Sequence, residues 1–283
     1  MDDYFGAAPT PAPQAGQPWG TPAVQSGPPA RRTRGWLVAL VAAGALLAVG
    51  LVSLRDTAQS GQVSQLRAVT EPAPAVVGWT ASYVDEAGRP ARWDPCEPIR
   101  YVVQPQWMPQ QGRRDLAEAL RRISAVSGLR FVDEGDTEEV PSDGRAAYQS
   151  ERYGQRWAPL LVGWVPAART DLPIGDGTQG LAVAVAVPGT DAGGHLVTGQ
   201  VVLDADHRLA SGFGPGATEG EVLLHELTHV VGLGHVDDAT QVMHVTTTNS
   251  ESEFGRGDRA GLTALGAAAG CHPAPAAREL QLG

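Results

Sequence analysis

Few stretches restrict a fold as tightly as Thr218 to His235, which reads T-E-G-E-V-L-L-H-E-L-T-H-V-V-G-L-G-H. Thr218 and Glu221 have capping-box spacing, in which the hydroxyl accepts from the third helical amide and the carboxylate reaches back, so a helix starts here. Val222, Leu223, Leu227, Val230 and Val231 give that helix an apolar stripe to bury, while His225 and His229, one turn apart, project from a single face. Gly232 falls where the helix needs a residue that tolerates positive φ, so the chain can turn sharply and carry His235 back toward the other two.

Two neutral imidazoles bind Zn²⁺ at about 2.0 Å, and a catalytic zinc takes three protein ligands while keeping a fourth position for water. His225, His229 and His235 are therefore the expected ligands of one ion, and Glu226, next to the first, is placed as the general base toward a metal-activated water. With seven histidines in 283 residues, accidental occurrence of this spacing is on the order of one in ten thousand. A zinc held only for structure would close its fourth position with protein and need no base, so Glu226 argues for chemistry.

The pattern H-E-x-x-H-x-x-G-x-x-H with a following methionine is carried here by His225, Glu226, His229, Gly232, His235 and Met243, and it resembles the metzincin proteases, most closely their matrixin branch. The resemblance implies that Met243, in Q-V-M-H-V, lies in a tight turn beneath the metal; by itself it would read as an ordinary core methionine. The run G-L-A-V-A-V-A-V-P-G from Gly180 resembles the matrixin edge strand, which implies that a peptide adds to it as a further strand. Matrixins carry a histidine in that strand for a structural zinc; Val183 stands there instead, so no second zinc is expected, and His195 and His207 read as surface histidines. The segment His244 to Gly255 corresponds to the family's pocket wall, and D-R-A-G-L-T-A-L-G, capped by Asp258, to its closing helix.

The formal charge of −10 argues against a nucleic-acid partner, because neutralising phosphates needs a basic face. Apart from histidine every basic side chain is Arg, which with the Ala, Gly and Pro content suits a GC-rich bacterial genome. Cys96 and Cys271 stand near the two ends of the expected domain, as one disulfide or as two buried thiols; the disulfide requires an oxidising compartment and would add about 5 kcal/mol by loop-closure entropy.

Residues 1–34, rich in Pro, Gly and Ala, cannot bury enough surface to order themselves and read as a disordered cytoplasmic tail. Residues 35–54 are uncharged and in helix would span about 30 Å, which predicts a single transmembrane helix. Arg31, Arg32 and Arg34 keep the amino terminus in the cytoplasm, and Trp36 anchors the inner interface. A cleavable signal peptide is the alternative, although the run exceeds the usual apolar core of one; both readings put the histidines outside the cytoplasm. Residues 55–88, with Pro72 and Pro74, read as an extended extracytoplasmic stalk or, alternatively, a pro-segment. The zinc protease domain is expected over 89–272 and a flexible tail over 273–283.

Within the domain, Ile99 to Gln104 is β-prone, Arg113 to Ser127 is an amphipathic helix closed by Gly128, and strands are expected at Leu129 to Val132, Leu160 to Val165, Leu181 to Val187 and Leu196 to Asp204. The acidic run Asp133, Glu134, Asp136, Glu138 and Glu139 reads as a solvated loop, with calcium left open. The order predicts an α+β, metzincin-like domain: a twisted mixed sheet, two main helices and a C-terminal helix, behind the single transmembrane helix. The expected function is a zinc-dependent endopeptidase acting on extended protein or peptide substrates, with a catalytically silent cell-surface peptide-binding module and a zinc hydrolase of cell-wall amides as alternatives.

Overall fold

The structure, a computed structural model, describes residues 66–69, 73–74, 78–189, 193–214, 217–246 and 253–277. The expected cytoplasmic tail, the transmembrane run 35–54 and the first part of the stalk lie outside the described residues; among the described residues no helix is long and apolar enough to cross a membrane. In chain order the elements are β1 (Leu66–Ala68), β2 (Ala73–Pro74), β3 (Tyr83–Asp85), β4 (Ile99–Gln104), α1 (Gly112–Ser127), β5 (Phe131–Asp136), α2 (Ser150–Tyr153), β6 (Leu160–Val165), β7 (Gly180–Pro188), β8 (Gly194–Asp204), α3 (Glu219–Val231), β9 (Val236–Asp237) and α4 (Arg256–Leu265).

Five strands form one mixed sheet in the order β5-β4-β6-β8-β7, parallel except for the antiparallel edge strand β7. Strands β6 and β8 are buried almost throughout, which is why L-L-V-G-W-V reads as a continuous apolar run rather than an alternation. Leu116, Ala119, Leu120 and Ile123 of α1 face Val222, Leu223, Leu227 and Val230 of α3 in one core with the sheet. Gly128 ends α1 in the left-handed region at φ 71°, and its N–H bonds the Ser124 carbonyl.

The stalk reading fails over its second half. Ala81, Ser82, Tyr83 and Val84 are buried, and β1 pairs with β3 while β2 runs parallel to β9. Ser82 N–H donates to the Gly232 carbonyl at 2.7 Å and its hydroxyl to Leu233 at 2.7 Å, and Gly234 N–H donates to Thr80 at 2.9 Å. The folded domain therefore begins before Gly78, upstream of the expected residue 89. These strands are two or three residues long, too short to show a periodicity, and the contacts of β2 and Ser82 reach residues more than 150 positions away.

The acidic run is also not a free loop. Asp133, Glu134 and Asp136 belong to β5, where Glu134 pairs with Arg100 and Arg156 and Arg113 reaches both aspartates. Glu139 is buried and accepts from Arg145, Gln149 and Tyr153. The cations on these carboxylates are guanidinium groups.

The carboxyl-terminal end of the expected domain, to residue 272, is tied down, and one contact reaches Pro275 in the stretch beyond it. Cys96 and Cys271 form a disulfide with Cα atoms 5.3 Å apart, His272 stacks on His195 with ring centroids 3.9 Å apart, and the Trp157 indole donates to the Pro275 carbonyl at 3.0 Å. His195 is accordingly buried rather than superficial, while His207 is exposed as expected. Residues 278–283 lie outside the described residues.

Two substitutions test this packing. A Cβ at Gly257 would lie 1.6 Å from the Gly78 carbonyl oxygen, so Gly257→Ala must expel the upstream segment or shift the start of α4. Chemical denaturation should show a loss of about 2 to 4 kcal/mol, the range of severe overpacking. Glu219, at the start of α3, is buried with one carboxyl oxygen lacking a geometric hydrogen bond, and burial followed by the nearby Asp115 pushes its pKa up from 4.5 to about 7. Because the folded-state value is raised, the stability it allows is present below pH 4.5 and lost as pH rises through 7. Glu219→Gln should match the parent at pH 4.5 and exceed it at pH 8 by about 2 kcal/mol, read from unfolding curves at the two pH values.

Candidate active site

The histidine helix begins as its sequence dictates. Thr218 Oγ1 accepts from Glu221 N–H at 3.3 Å, and Glu221 Oε2 accepts from Thr218 N–H at 3.1 Å, closing the capping box. The helix ends at Gly232, whose φ of 116° is open to glycine alone, and the reversal lets Leu233 N–H return to the Thr228 carbonyl. His235 is thereby folded back against the helix it has just left.

The three Nε2 atoms converge. They are separated by 3.1 Å between His225 and His229, 3.2 Å between His225 and His235, and 3.0 Å between His229 and His235. His225 Nδ1–H donates to the Val242 carbonyl at 2.7 Å and His229 Nδ1–H to the Leu233 carbonyl at 2.8 Å, which leaves the Nε2 atoms of both as bare acceptors. Three nitrogens that cannot hydrogen-bond one another through those lone pairs need a cation between them. Tetrahedral zinc at about 2.05 Å from each nitrogen sets edges of about 3.3 Å, so the cluster fits that ion closely.

Burial explains the electrostatics. Desolvation, with a partly compensating bond to Val242, lowers His225 to about 4; desolvation followed by the neighbouring imidazoles lowers His235 to about 4 and takes His229 well below its ordinary 6.5. All three rings are neutral throughout the physiological range, the form in which imidazole can ligate a metal. Glu226 moves the other way: burial raises it from 4.5 to about 8, opposed by a hydrogen bond from the Ala182 amide.

Glu226 reaches Ala182 because Gly180 has no side chain. A Cβ there would lie 2.9 Å from Glu226 Cγ and 2.7 Å from Val222 Cγ1. The carboxylate therefore lies against the edge strand β7, a placement that its sequence position alone does not give.

Met243 is fully buried in the turn that follows. That turn is held from α4: Asp258 accepts from Val242 N–H at 2.8 Å, Met243 N–H at 3.3 Å and Gly255 N–H at 2.9 Å, while its own amide donates to Gln241 Oε1 at 2.7 Å. Asp258 thus caps α4 from inside the helix rather than from the expected N-cap position, and the same carboxylate fixes the Val242 peptide that orients His225. Gln241 and this role of Asp258 were not foreseen. The sequence signal was only an acidic residue at a helix start. The pocket-wall segment is described at 244–246 and 253–255, with Val245 exposed; residues 247–252 lie outside the described residues.

The depressed histidine values carry a pH prediction. Neutral imidazole stabilises the folded site fully above the unfolded value of 6.5, and that contribution is lost as pH falls toward 4. Dialysis of the zinc-loaded protein across this range, followed by metal analysis, should find the ion retained at pH 5.5 and released only near pH 4.

A family model described as Matrixin matches residues 93–266. No curated protein matches the chain. The match spans more than half of the chain, from Trp93 through the core strands, the histidine helix and the methionine turn to the end of α4. Sheet order, imidazole cluster and methionine turn agree with it, and the chain belongs to the matrixin family of metalloproteases.

Proposed function

We propose that this chain is an extracytoplasmic, membrane-tethered zinc endopeptidase with Glu226 as its general base. The observation that carries the proposal is the convergence of three Nε2 atoms within 3.2 Å of one another, with the carboxylate of the next helix residue after His225 bonded to strand β7. His225, His229 and His235 would hold the ion. Zinc, when bound, supplies a Lewis acid that acidifies water and polarises a carbonyl.

The residues around it supply position and proton transfer. Strand β7 offers main-chain groups to an extended peptide, so affinity comes from strand addition. Glu226 takes a proton from the attacking water and delivers it to the leaving amine nitrogen. Its pKa of about 8 without the ion suits a group that must hold that proton, and a dication nearby favours the carboxylate form needed at the start. Asp258 and the Val242 carbonyl keep the His225 ring in the orientation that leaves Nε2 free. The membrane tether rests on the uncharged run 35–54, and the extracytoplasmic location on that run together with the disulfide.

Two variants separate the roles. Glu226→Ala should keep one zinc per chain while kcat/KM on a peptide substrate falls at least a hundredfold, the usual scale of acid–base catalysis. His229→Ala should lose the zinc itself, by metal analysis of the purified protein. An active Glu226→Ala enzyme would remove Glu226 from the mechanism.

A further inference from the structure

Strand β7 is the outer strand of the sheet, and only part of its edge is open. In an antiparallel pair the main-chain groups of alternate residues point toward the partner and away from it. The Val183 carbonyl faces β8, where a Cβ on Gly199 would lie 2.6 Å from it. Ala182 therefore points outward, as its amide bond to Glu226 requires, and so does Ala184 two residues on. The outward carbonyl of Ala184 is already used: Tyr83 Oη donates to it at 2.9 Å.

Tyr83 is a fixed part of the domain. It is buried in β3, among core residues that include Ala182 and Ala184. Burial pushes its hydroxyl up to about 12, so it remains a donor at any pH the protein meets. Beyond it, the register of β7 on β8 shifts between Val185 and Ala186, which interrupts a regular ladder. Upstream chain lies close by: β1 pairs with the strand that carries Tyr83 and lies beside β7, and β2 pairs with β9, which follows directly on His235.

We infer that Tyr83 ends the peptide-pairing edge at Ala184, leaving only the outward groups of Gly180 and the Ala182 carbonyl, so that a substrate is gripped through its main chain on one side of the scissile bond alone. Tyr83 is then a specificity-determining residue, and the substrate class is a peptide whose recognition is one-sided. This rests on the peptidase reading above.

The test uses the full-length protein loaded with zinc. A peptide that is cleaved is lengthened one residue at a time on the amino side of the scissile bond in one series and on the carboxyl side in another. Binding to the Glu226→Gln protein is read by fluorescence anisotropy and turnover by the wild type as kcat/KM. Lengthening on one side should strengthen both by about fivefold for each main-chain hydrogen bond gained, while lengthening on the other stays within twofold. Tyr83→Phe removes only the hydroxyl and Tyr83→Ala opens the space as well; with zinc content and thermal midpoint as checks on folding, at least one should make the silent side respond by about fivefold. Equal responses on both sides in the parent, or a silent side unchanged in both variants, would overturn the inference. Absence of turnover with one-sided binding intact would count against the peptidase reading and not against this one.

Discussion

Three lone pairs aimed at a common point repel one another, and the site exists because the surrounding chain holds them there. Each Nε2 lies within 3.2 Å of the other two, in a setting that also denies the rings the option of protonating. The arrangement is expensive empty and favourable around a dication, so the free energy of metal binding is available to the fold. The helix supplies two of the rings by its period, the glycine turn supplies the third, and peptide carbonyls at Val242 and Leu233 set the rotation of the two helix-borne rings.

That constraint reaches outward through hydrogen bonds rather than through the metal alone. Asp258 at the start of α4 gathers the amides of Val242, Met243 and Gly255, so α4, the methionine turn and His225 are joined in one hydrogen-bonded network. Gln241 extends the same network to the Gly78 carbonyl at 3.0 Å, where the absence of a side chain on Gly257 lets the upstream chain settle. The chain around Gly78 is therefore tied to the same turn that orients His225.

On the other side of the cleft the determining contacts are steric. Gly180 leaves room for Glu226 to lie against β7, and Tyr83 occupies the next outward carbonyl of that strand. The Glu226 contact at Ala182 and the Tyr83 contact at Ala184 thus fall two residues apart on β7, so one rigid strand receives both.

The histidine spacing, the capping box and the glycine at the helix end were legible from the chain alone, because helical periodicity converts sequence separation directly into position on a face. The two main helices, the strand runs and the pairing of Cys96 with Cys271 were legible for similar reasons: burial leaves a compositional pattern, and two cysteines admit one intramolecular bridge. The tertiary structure alone decided that residues before Gly78 join the domain, that Asp133, Glu134 and Asp136 of the acidic run lie in a strand paired with arginines, and that His195 is buried under His272. It alone decided that Asp258 clasps the methionine turn and that Tyr83 caps β7. These contacts join residues from about 15 to more than 150 positions apart through single hydrogen bonds, ion pairs or ring contacts, and such interactions impose no repeating pattern on the chain that makes them.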